Sequence, residues 1–320
     1  MRGLNLKKTF YLLFVIPILF CFHQEYHKSE VAFTIGEKDL IPEGITYSSS
    51  TKSFYLSSLN KTKIIQIDST TGKYRDFISS KVLGMMVLGL AVDESNKVLW
   101  ACAESLEDNP YRTTVAKFDL ETGRLLHSYE GNDTLKYLIN DLVLDSKGNV
   151  YYTNLANHSV FKIDIESNRV ELILKDMNMK YPNGITISPD DKYLYVASDT
   201  NGICVIDLKK RKLLNTNLSE TSKGIDGLKF YKNSLIGIQN EVQNKSEIKI
   251  IRYFLDSTMI RMSEQMIIDQ DNPTFDIPTT FVIVNNNLFC IANSQIGNYS
   301  RKGIKDKSIL TNVNILKYKL

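Results

Sequence analysis

The stretch YPNGITISPDDKYLYVASDT, Tyr181 to Thr200, carries the clearest sign of the architecture of this protein. An apolar segment runs into the turn Ser-Pro-Asp-Asp and a second apolar segment follows, which predicts a β-hairpin. The Asn-Gly pair at 183–184 is typical of turns, yet here it begins a predicted strand. The same sequence motif occurs five more times in the chain, and comparison of the copies explains the position of this pair.

Each copy consists of an apolar strand, a polar turn and a second apolar strand, and the other copies begin at residues 41, 88, 138, 224 and 277. A third strand follows each copy, and a fourth follows the first five, as KIIQID (63–68) and YRDFIS (74–79) illustrate. Glycine or a replacement recurs at 44, 89, 141, 184, 227 and 280, with spacings of 45, 52, 43, 43 and 53 residues. This period with four strands per unit predicts an all-β fold, a six-bladed β-propeller.

The two ends of the repeat predict how the ring closes. The sixth copy reaches only its third strand at Leu320, while the strand-like segment VAFTI (31–35) is left over at the front. We expect this segment to complete the last blade and to cover its open edge. The prediction is therefore a single propeller domain over residues 31–320, preceded by a linker over residues 23–30.

Residues 1–22 have a different character. Basic residues precede an uncharged run whose apolar core, Phe10 to Phe22, is too short to span a bilayer comfortably. This predicts a signal peptide, or a short membrane anchor as the alternative, and hence export to the periplasm, the cell envelope or the extracellular space. Cys21 is a candidate lipid-attachment site, although Phe20 before it is larger than the usual residue.

The amino-acid composition indicates which kinds of binding partner to expect. The net charge is +3 over 320 residues, and basic and acidic residues are mixed, so no nucleic acid partner is expected. We expect a monomer that meets a membrane only through its N-terminal segment or a lipid on Cys21. Cys102, Cys204 and Cys290 are far apart and form no CxxC motif, which favours buried hydrophobic residues over disulfides or a zinc site.

The repeat also aligns polar residues. The first strand of each propeller blade lines the central channel, so residues at one repeat position gather around one axis. The position before the recurrent glycine is occupied by Glu43, Leu88, Asn140, Asn183, Asp226 and Thr279. Each polar member alone could cap a turn or join a water-bridged ring. Together, two carboxylates and two amides would be unsatisfied without a cation, and such oxygen ligands suit calcium, magnesium or manganese.

At these residues the chain resembles the senescence marker protein/gluconolactonase/LRE-like (regucalcin-like) family of six-bladed propellers, which includes calcium-dependent lactonases. The resemblance extends from about residue 38 to the end of the ring. The phrases that carry it are PEGI (42–45), ND (140–141), PNGITISPDDKYLYVASDT (182–200), GIDGL (224–228) and PTT (278–280). The PNGI phrase with its SPD turn is the most specific of these, whereas PEGI also occurs in NHL-type propellers.

The resemblance implies roles for single residues. Glu43, Asn183 and Asp226 match the family residues that bind one divalent cation, for which calcium is the first expectation and magnesium, manganese or zinc are alternatives. Asn140 matches a residue that holds substrate or water, and we expect Thr279 to assist it. Asp226 also matches the family's general base.

At one position the sequence differs from the family pattern in a way that affects the expected substrate. Leu138 stands where the sugar lactonases of the family have an arginine that holds the substrate. Its loss removes bidentate recognition of hydroxyl or carboxylate groups, which argues against a sugar acid lactone.

Two functions follow from the sequence. The first is an exported, metal-dependent hydrolase of a small-molecule lactone or other ester, with water as the nucleophile because no GxSxG motif is present. The alternative is a non-catalytic, NHL-like propeller of the cell envelope that binds a ligand or a protein. The apolar residues Leu88 and Leu138 in the channel favour this alternative.

Overall fold

The computed structural model describes residues 28–106, 112–131, 138–218, 221–240 and 245–320. The predicted signal peptide or anchor at 1–22, the candidate lipid site Cys21 and most of the predicted linker lie outside these ranges. Within them, no helix combines the length and the apolar character needed to cross a membrane.

Six four-stranded antiparallel sheets form the six blades, which confirms the predicted fold. The chain enters through β1 (Glu30–Ile35), which belongs to the last blade. Blade 1 contains β2 (Ile45–Ser48), β3 (Ser53–Ser57), β4 (Ile64–Asp68) and β5 (Tyr74–Ile78), and the short helix α1 (Ser80–Leu83) follows it. Blade 2 contains β6 (Met86–Asp93), β7 (Val98–Glu104), β8 (Thr113–Asp119) and β9 (Leu125–Glu130).

The next three blades repeat this order from the channel outwards. Blade 3 contains β10 (Ile139–Leu144), β11 (Val150–Asn154), β12 (Ser159–Asp164) and β13 (Arg169–Lys175). Blade 4 contains β14 (Pro182–Ile187), β15 (Tyr193–Ser198), β16 (Gly202–Asp207) and β17 (Lys212–Leu214). Blade 5 contains β18 (Ile225–Phe230), β19 (Ser234–Gln239), β20 (Lys249–Leu255) and β21 (Met262–Gln270).

Blade 6 joins the two ends of the ring. It contains β22 (Phe281–Val284), β23 (Asn287–Ile291), β26 (Val313–Lys319) and, on its outer edge, β1. The pairing of β1 with β26 is antiparallel and matches Ile35 with Val313. The leftover N-terminal strand therefore completes the last blade as the sequence predicts.

Apolar side chains fill the space between the blades. Each of the six interfaces between neighbouring blades holds its own buried hydrophobic cluster. The cluster between blades 2 and 3 contains Trp100 and Cys102, and that between blades 5 and 6 contains Cys290. The three cysteines of the described part of the chain are free thiols, and Cys204 is only partly buried.

A segment between β23 and β26 has no counterpart among the described residues of the other blades. We call residues 293–312 the cap segment; it contains a short 3-10 helix (Ile296–Asn298) and a two-stranded hairpin, β24 (Tyr299–Ser300) and β25 (Gly303–Ile304). The cap segment packs on blades 1 and 2 through a seventh apolar cluster, which includes Ile41, Leu59 and Met86.

Candidate functional site

The recurrent glycines permit the innermost strands of adjacent blades to approach closely. A Cβ atom on Gly44 would lie 2.2 Å from the carbonyl oxygen of Leu88, and one on Gly184 would lie 2.1 Å from that of Asp226. Both contacts are with backbone and could not be relieved by a side-chain rotation. The Asn-Gly pair at 183–184 is therefore a strand start that meets the next blade, and not a turn.

A bulge turns the neighbouring side chains towards the axis. The pairing of β6, β10, β14 and β18 with the second strand of each blade shifts register at this same repeat position. In β14 the shift lies between Pro182 and Ile185, which brackets Asn183. Such bulges change the direction of a side chain and are common next to functional sites.

These side chains surround one small cavity in the channel. It has a volume of about 10 Å³, which suits a single water molecule or ion. The lining residues are Glu43, Gly89, Asn140, Asp141, Asn183, Asp226, Gly227 and Thr280. Four of the residues singled out from the sequence are thus brought together: Glu43, Asn140, Asn183 and Asp226.

Thr279 is not among the residues that line this cavity. Its hydroxyl donates a hydrogen bond of 3.0 Å to the backbone oxygen of Glu43 and is buried. This contact fixes the backbone that presents the Glu43 side chain. The following residue, Thr280, lines the cavity instead, and its Oγ1 is buried without a hydrogen-bond partner among the described residues.

Asp226 is the most perturbed carboxyl group of the site. Burial raises its pKa to about 7, and the charge of Asp141 acts in the same direction. Hydrogen bonds from Asn240 and Asn183 oppose this rise in pKa. Asn240 Nδ2 lies 2.8 Å from Asp226 Oδ2 and 2.7 Å from the backbone oxygen of Pro278, so Asn240 holds the carboxyl group in a fixed orientation.

The donor set fits a hard divalent cation. Asn183 Oδ1 is buried without a hydrogen-bond partner in the described part of the chain, and Asn183 borders the same cavity as the carboxylates of Glu43, Asp141 and Asp226. Carboxylate, amide and hydroxyl oxygens are the ligands of calcium and magnesium. The described residues contain no group of three or more His, Cys, Asp or Glu side chains placed to hold a metal. A cation here would depend on two carboxylates, Glu43 and Asp226, and on the neutral oxygen of Asn183.

Leu88, the apolar member of the predicted ring, packs against the cap segment. It borders the seventh apolar cluster together with Ile296, Tyr299 and Ile304. The cap segment is also held by a hydrogen bond from Tyr299 to the backbone oxygen of Leu59 (3.4 Å) and by an ion pair between Arg301 and Glu104 (3.3 Å). Leu88 therefore contributes to the packing of the cap segment on blade 2.

Leu138 has a different environment. It precedes β10 and its side chain is 36% exposed. No apolar cluster includes it. At this position the entrance to the channel presents an exposed apolar side chain.

A larger cavity lies away from the channel. It has a volume of about 550 Å³ and lies on the outer rim of blade 4, where the outer strand β17 has only three residues. Asn178, Asn201 and Asn215 border it. Among the described residues, its lining includes no carboxylate, and the buried unsatisfied oxygens of Asn183 and Thr280 are in the channel. The chemistry therefore favours the small cavity.

The alignment of the repeats does not identify several residues of the site. Asp141 and Thr280 occupy the glycine position, which marks them as exceptions without showing that they face the cavity. Asn240 lies at the end of the second strand of its blade, outside the repeat position compared. Lys229 lies within β18, and its Nζ reaches 3.2 Å from Asp141 Oδ2. The charge of Lys229, alone at its repeat position, is a signal that could have identified it.

Comparison with known proteins places this geometry in context. Residues 41–230 match the SMP-30/Gluconolactonase/LRE-like region. A lactonase drp35 of Staphylococcus epidermidis is 31% identical over 97 residues, which cover 28% of this chain and 29% of that protein. The matched region thus spans less than a third of the relative.

Solved structures share the fold at low sequence identity. A luciferin-regenerating enzyme is 14% identical with a TM-score of 0.61, and the match covers 92% of this chain and 95% of that one. A gluconolactonase from Xanthomonas campestris is 14% identical with a TM-score of 0.59, over 90% and 87% of the two chains. The Malassezia sympodialis allergen Mala s 1 has a TM-score of 0.67 at 14% identity, over 89% and 95%. At these identities the likeness concerns the fold alone.

Proposed function

Because the chain belongs to the SMP-30/gluconolactonase/LRE-like family, we propose that it is a divalent-metal-dependent hydrolase of a lactone or other ester. One observation carries this proposal. Glu43, Asn140, Asn183 and Asp226 border one small cavity, and the amide oxygen of Asn183 is buried there without a partner among the described residues. The lactonase drp35 and the Xanthomonas gluconolactonase support the type of reaction.

Different side chains at the cavity have different tasks in the proposed reaction. Asp226 takes a proton from the attacking water as the general base. Without a bound ion its pKa is about 7, and a cation would favour the ionised form that accepts the proton. Asn240 keeps the Asp226 carboxyl group oriented, and Asn140 binds the substrate or the water. The side chains of Glu43, Asn183 and Asp226 are buried, so little bulk water reaches the cavity, and this strengthens hydrogen bonds and charge interactions within it.

Glu43, Asn183 and Asp226 would hold the cation, for which calcium is the first candidate. When bound, such an ion supplies polarisation of the carbonyl group and stabilisation of negative charge on its oxygen. The ionised form of Asp226 is needed both to hold the cation and to accept a proton. We assign these two tasks to its two carboxyl oxygens.

The substrate and the place of action form part of the proposal. Leu138 offers no charged or polar group to a sugar acid, so the substrate is a lactone or ester without a carboxylate near this residue. The apolar run at 10–22 directs the protein to the periplasm, the cell envelope or the extracellular space.

A lactone and aryl-ester panel tests the function. The purified protein is treated with a chelator and assayed after addition of Ca²⁺, Mg²⁺, Mn²⁺ or Zn²⁺, by the release of acid at constant pH. We expect hydrolysis of apolar lactones that requires one of the four ions and is lost in Asp226→Ala. Equal rates in the variant and the wild type, or no hydrolysis with any ion, would contradict the proposal.

The exposed Leu138 favours a second candidate, a ligand-binding or protein-binding propeller without catalysis. Its apolar side chain lies at the channel entrance without a packing partner in any of the apolar clusters. If the panel shows no turnover while an apolar ligand protects the protein against thermal unfolding, this second function applies.

A further inference from the structure

Asp141 adds a third carboxylate to the cavity. It stands where blades 1, 2, 4 and 5 have glycine, and it borders the same space as Glu43 and Asp226. Its Oδ1 accepts a hydrogen bond of 2.9 Å from the backbone N–H of Leu142. Three carboxylates around a cavity of this size would repel one another, and the position of Asp141 therefore requires a compensating positive charge.

Lys229 provides that charge from another blade. It follows Asp226 by three residues on β18 of blade 5, and its Nζ reaches Asp141 Oδ2 of blade 3 at 3.2 Å. The same oxygen lies 3.4 Å from the backbone N–H of Ile185 in blade 4. The lysine side chain is 24% exposed and that of Asp141 only 9%, so water screens the pair weakly.

The repeat shows that this charge is unusual. Lys229 lies two residues after the recurrent glycine, where the other five blades have Thr46, Ala91, Val143, Thr186 and Val282. A lysine is thus the one ionised side chain in this layer of the ring. A lysine is not expected at a position whose counterparts Ala91, Val143 and Val282 pack against the apolar clusters between blades.

We propose that Lys229 is a positioning residue that acts as a built-in cation of the channel, neutralises Asp141 and thereby sets the affinity of the neighbouring divalent cation site. This inference rests on the proposed function, since it assumes that Glu43, Asn183 and Asp226 bind an ion. The ammonium group compensates one carboxylate, so two carboxylates are left for one divalent cation. Without Lys229, Asp141 would add a third negative charge, and affinity in oxygen sites rises with the number of charged ligands.

Isothermal titration calorimetry with Ca²⁺ on a double-mutant cycle tests this inference. We expect Lys229→Met to bind Ca²⁺ at least about tenfold more tightly than the wild type, because a nearby positive charge is removed. Asp141→Asn leaves Lys229 without its partner and should weaken binding by a similar factor. The double variant Lys229→Met/Asp141→Asn removes both charges and should return to within about threefold of the wild type.

The outcomes separate this inference from the function on which it rests. If the wild type binds Ca²⁺ and Lys229→Met binds it equally, the role of Lys229 is refuted while the cation site stands. If neither protein binds Ca²⁺, the cation site and the role of Lys229 both fail. Thermal unfolding of each variant in chelator identifies any misfolded protein. In that case Lys229→Gln, which keeps a hydrogen bond to Asp141, takes the place of Lys229→Met and should also bind Ca²⁺ more tightly.

Discussion

The two halves of the channel ring differ in chemistry and in cover. Blades 3, 4 and 5 supply Asn140, Asn183 and Asp226 to the cavity, beneath an entrance that exposes Leu138. On the side of blades 1 and 2, the cap segment packs on Leu88. Glu43 of blade 1 is the one residue of the capped half that provides a carboxylate to the cavity. The repeat thus builds a symmetric ring, while substitutions at one repeat position and one insertion divide it into a polar half and a packed half.

The largest expected effect concerns Asp226 in the polar half. Asp226→Asn preserves the size of the side chain but removes the general base and one negative charge of the cation site, and we expect lactone hydrolysis to fall by about 10²–10⁴-fold. The matched control Asp271→Asn changes an exposed aspartate outside the cavity and should keep wild-type rates. Steady-state kinetics with calcium present measure both. A similar loss of activity in the two variants would remove the distinction between the site and the surface.

The pH dependence of stability is the second effect. The pKa of Asp226 in the folded protein, about 7, exceeds its ordinary value of 3.8. The protonated carboxyl group therefore contributes stability that is complete below about pH 4 and is lost as the pH rises through about 7. In chelator, urea unfolding of the wild type should lose on the order of 4 kcal/mol across this range relative to Asp226→Asn.

A cation should reverse this trend, because it binds the ionised form of Asp226. We expect Ca²⁺ to raise the melting temperature more at pH 8 than at pH 5. Asp271→Asn should follow the wild type at both pH values. A stability profile of the wild type in chelator that parallels that of Asp226→Asn would contradict the perturbed pKa.

Asparagine substitutions at two leucines, one in each half of the ring, compare how tightly the two halves are packed. Leu88→Asn places an amide against the cap segment and should cost about 2–3 kcal/mol of unfolding free energy. Leu138→Asn changes an exposed side chain and should stay within about 0.5 kcal/mol of the wild type. Urea unfolding at pH 7 measures both variants. Equal losses at the two positions would show that the capped half is no better packed than the open entrance.

The smallest effect concerns the ion pair that holds the cap segment. Glu104 is nearly buried and Arg301 is partly exposed, so Arg301→Gln should cost about 1 kcal/mol or somewhat more. Lys97 and Glu121 form an exposed pair that water screens, and Lys97→Gln should have a smaller effect than Arg301→Gln. If hydrogen exchange of residues 293–312 is unchanged in Arg301→Gln, the pair does not hold the cap segment in place.

Much of this architecture is predictable from the sequence because each weak local pattern occurs six times, and the copies support one another. Gly184 beside Asn183 has little meaning alone, yet six aligned copies indicate blades, a channel and a layer of polar residues. The sixth repeat has only three strands, so the leftover strand at residues 31–35 is predicted to complete the last blade. These inferences need only periodicity, which a single sequence contains.

The rest depends on contacts that periodicity does not encode. The cap segment lies in an insertion whose packing partners, Leu59 and Met86, are more than 200 residues away in the chain. Thr279 and Thr280 are both plausible at the channel, and only the direction of their hydroxyl groups distinguishes them. The pairing of Lys229 with Asp141 crosses a whole blade.

Anomalous diffraction from crystals soaked in Mn²⁺ or Ca²⁺ tests the central claim most directly, because it locates the ion without reference to activity. We predict a single peak in the channel cavity, bounded by Glu43, Asn183 and Asp226 with metal–oxygen distances of about 2.1–2.6 Å. The peak should disappear in Asp226→Asn crystals treated in the same way. An empty cavity in wild-type crystals soaked at millimolar concentration, or a peak only on the outer rim of the blades, would contradict the account.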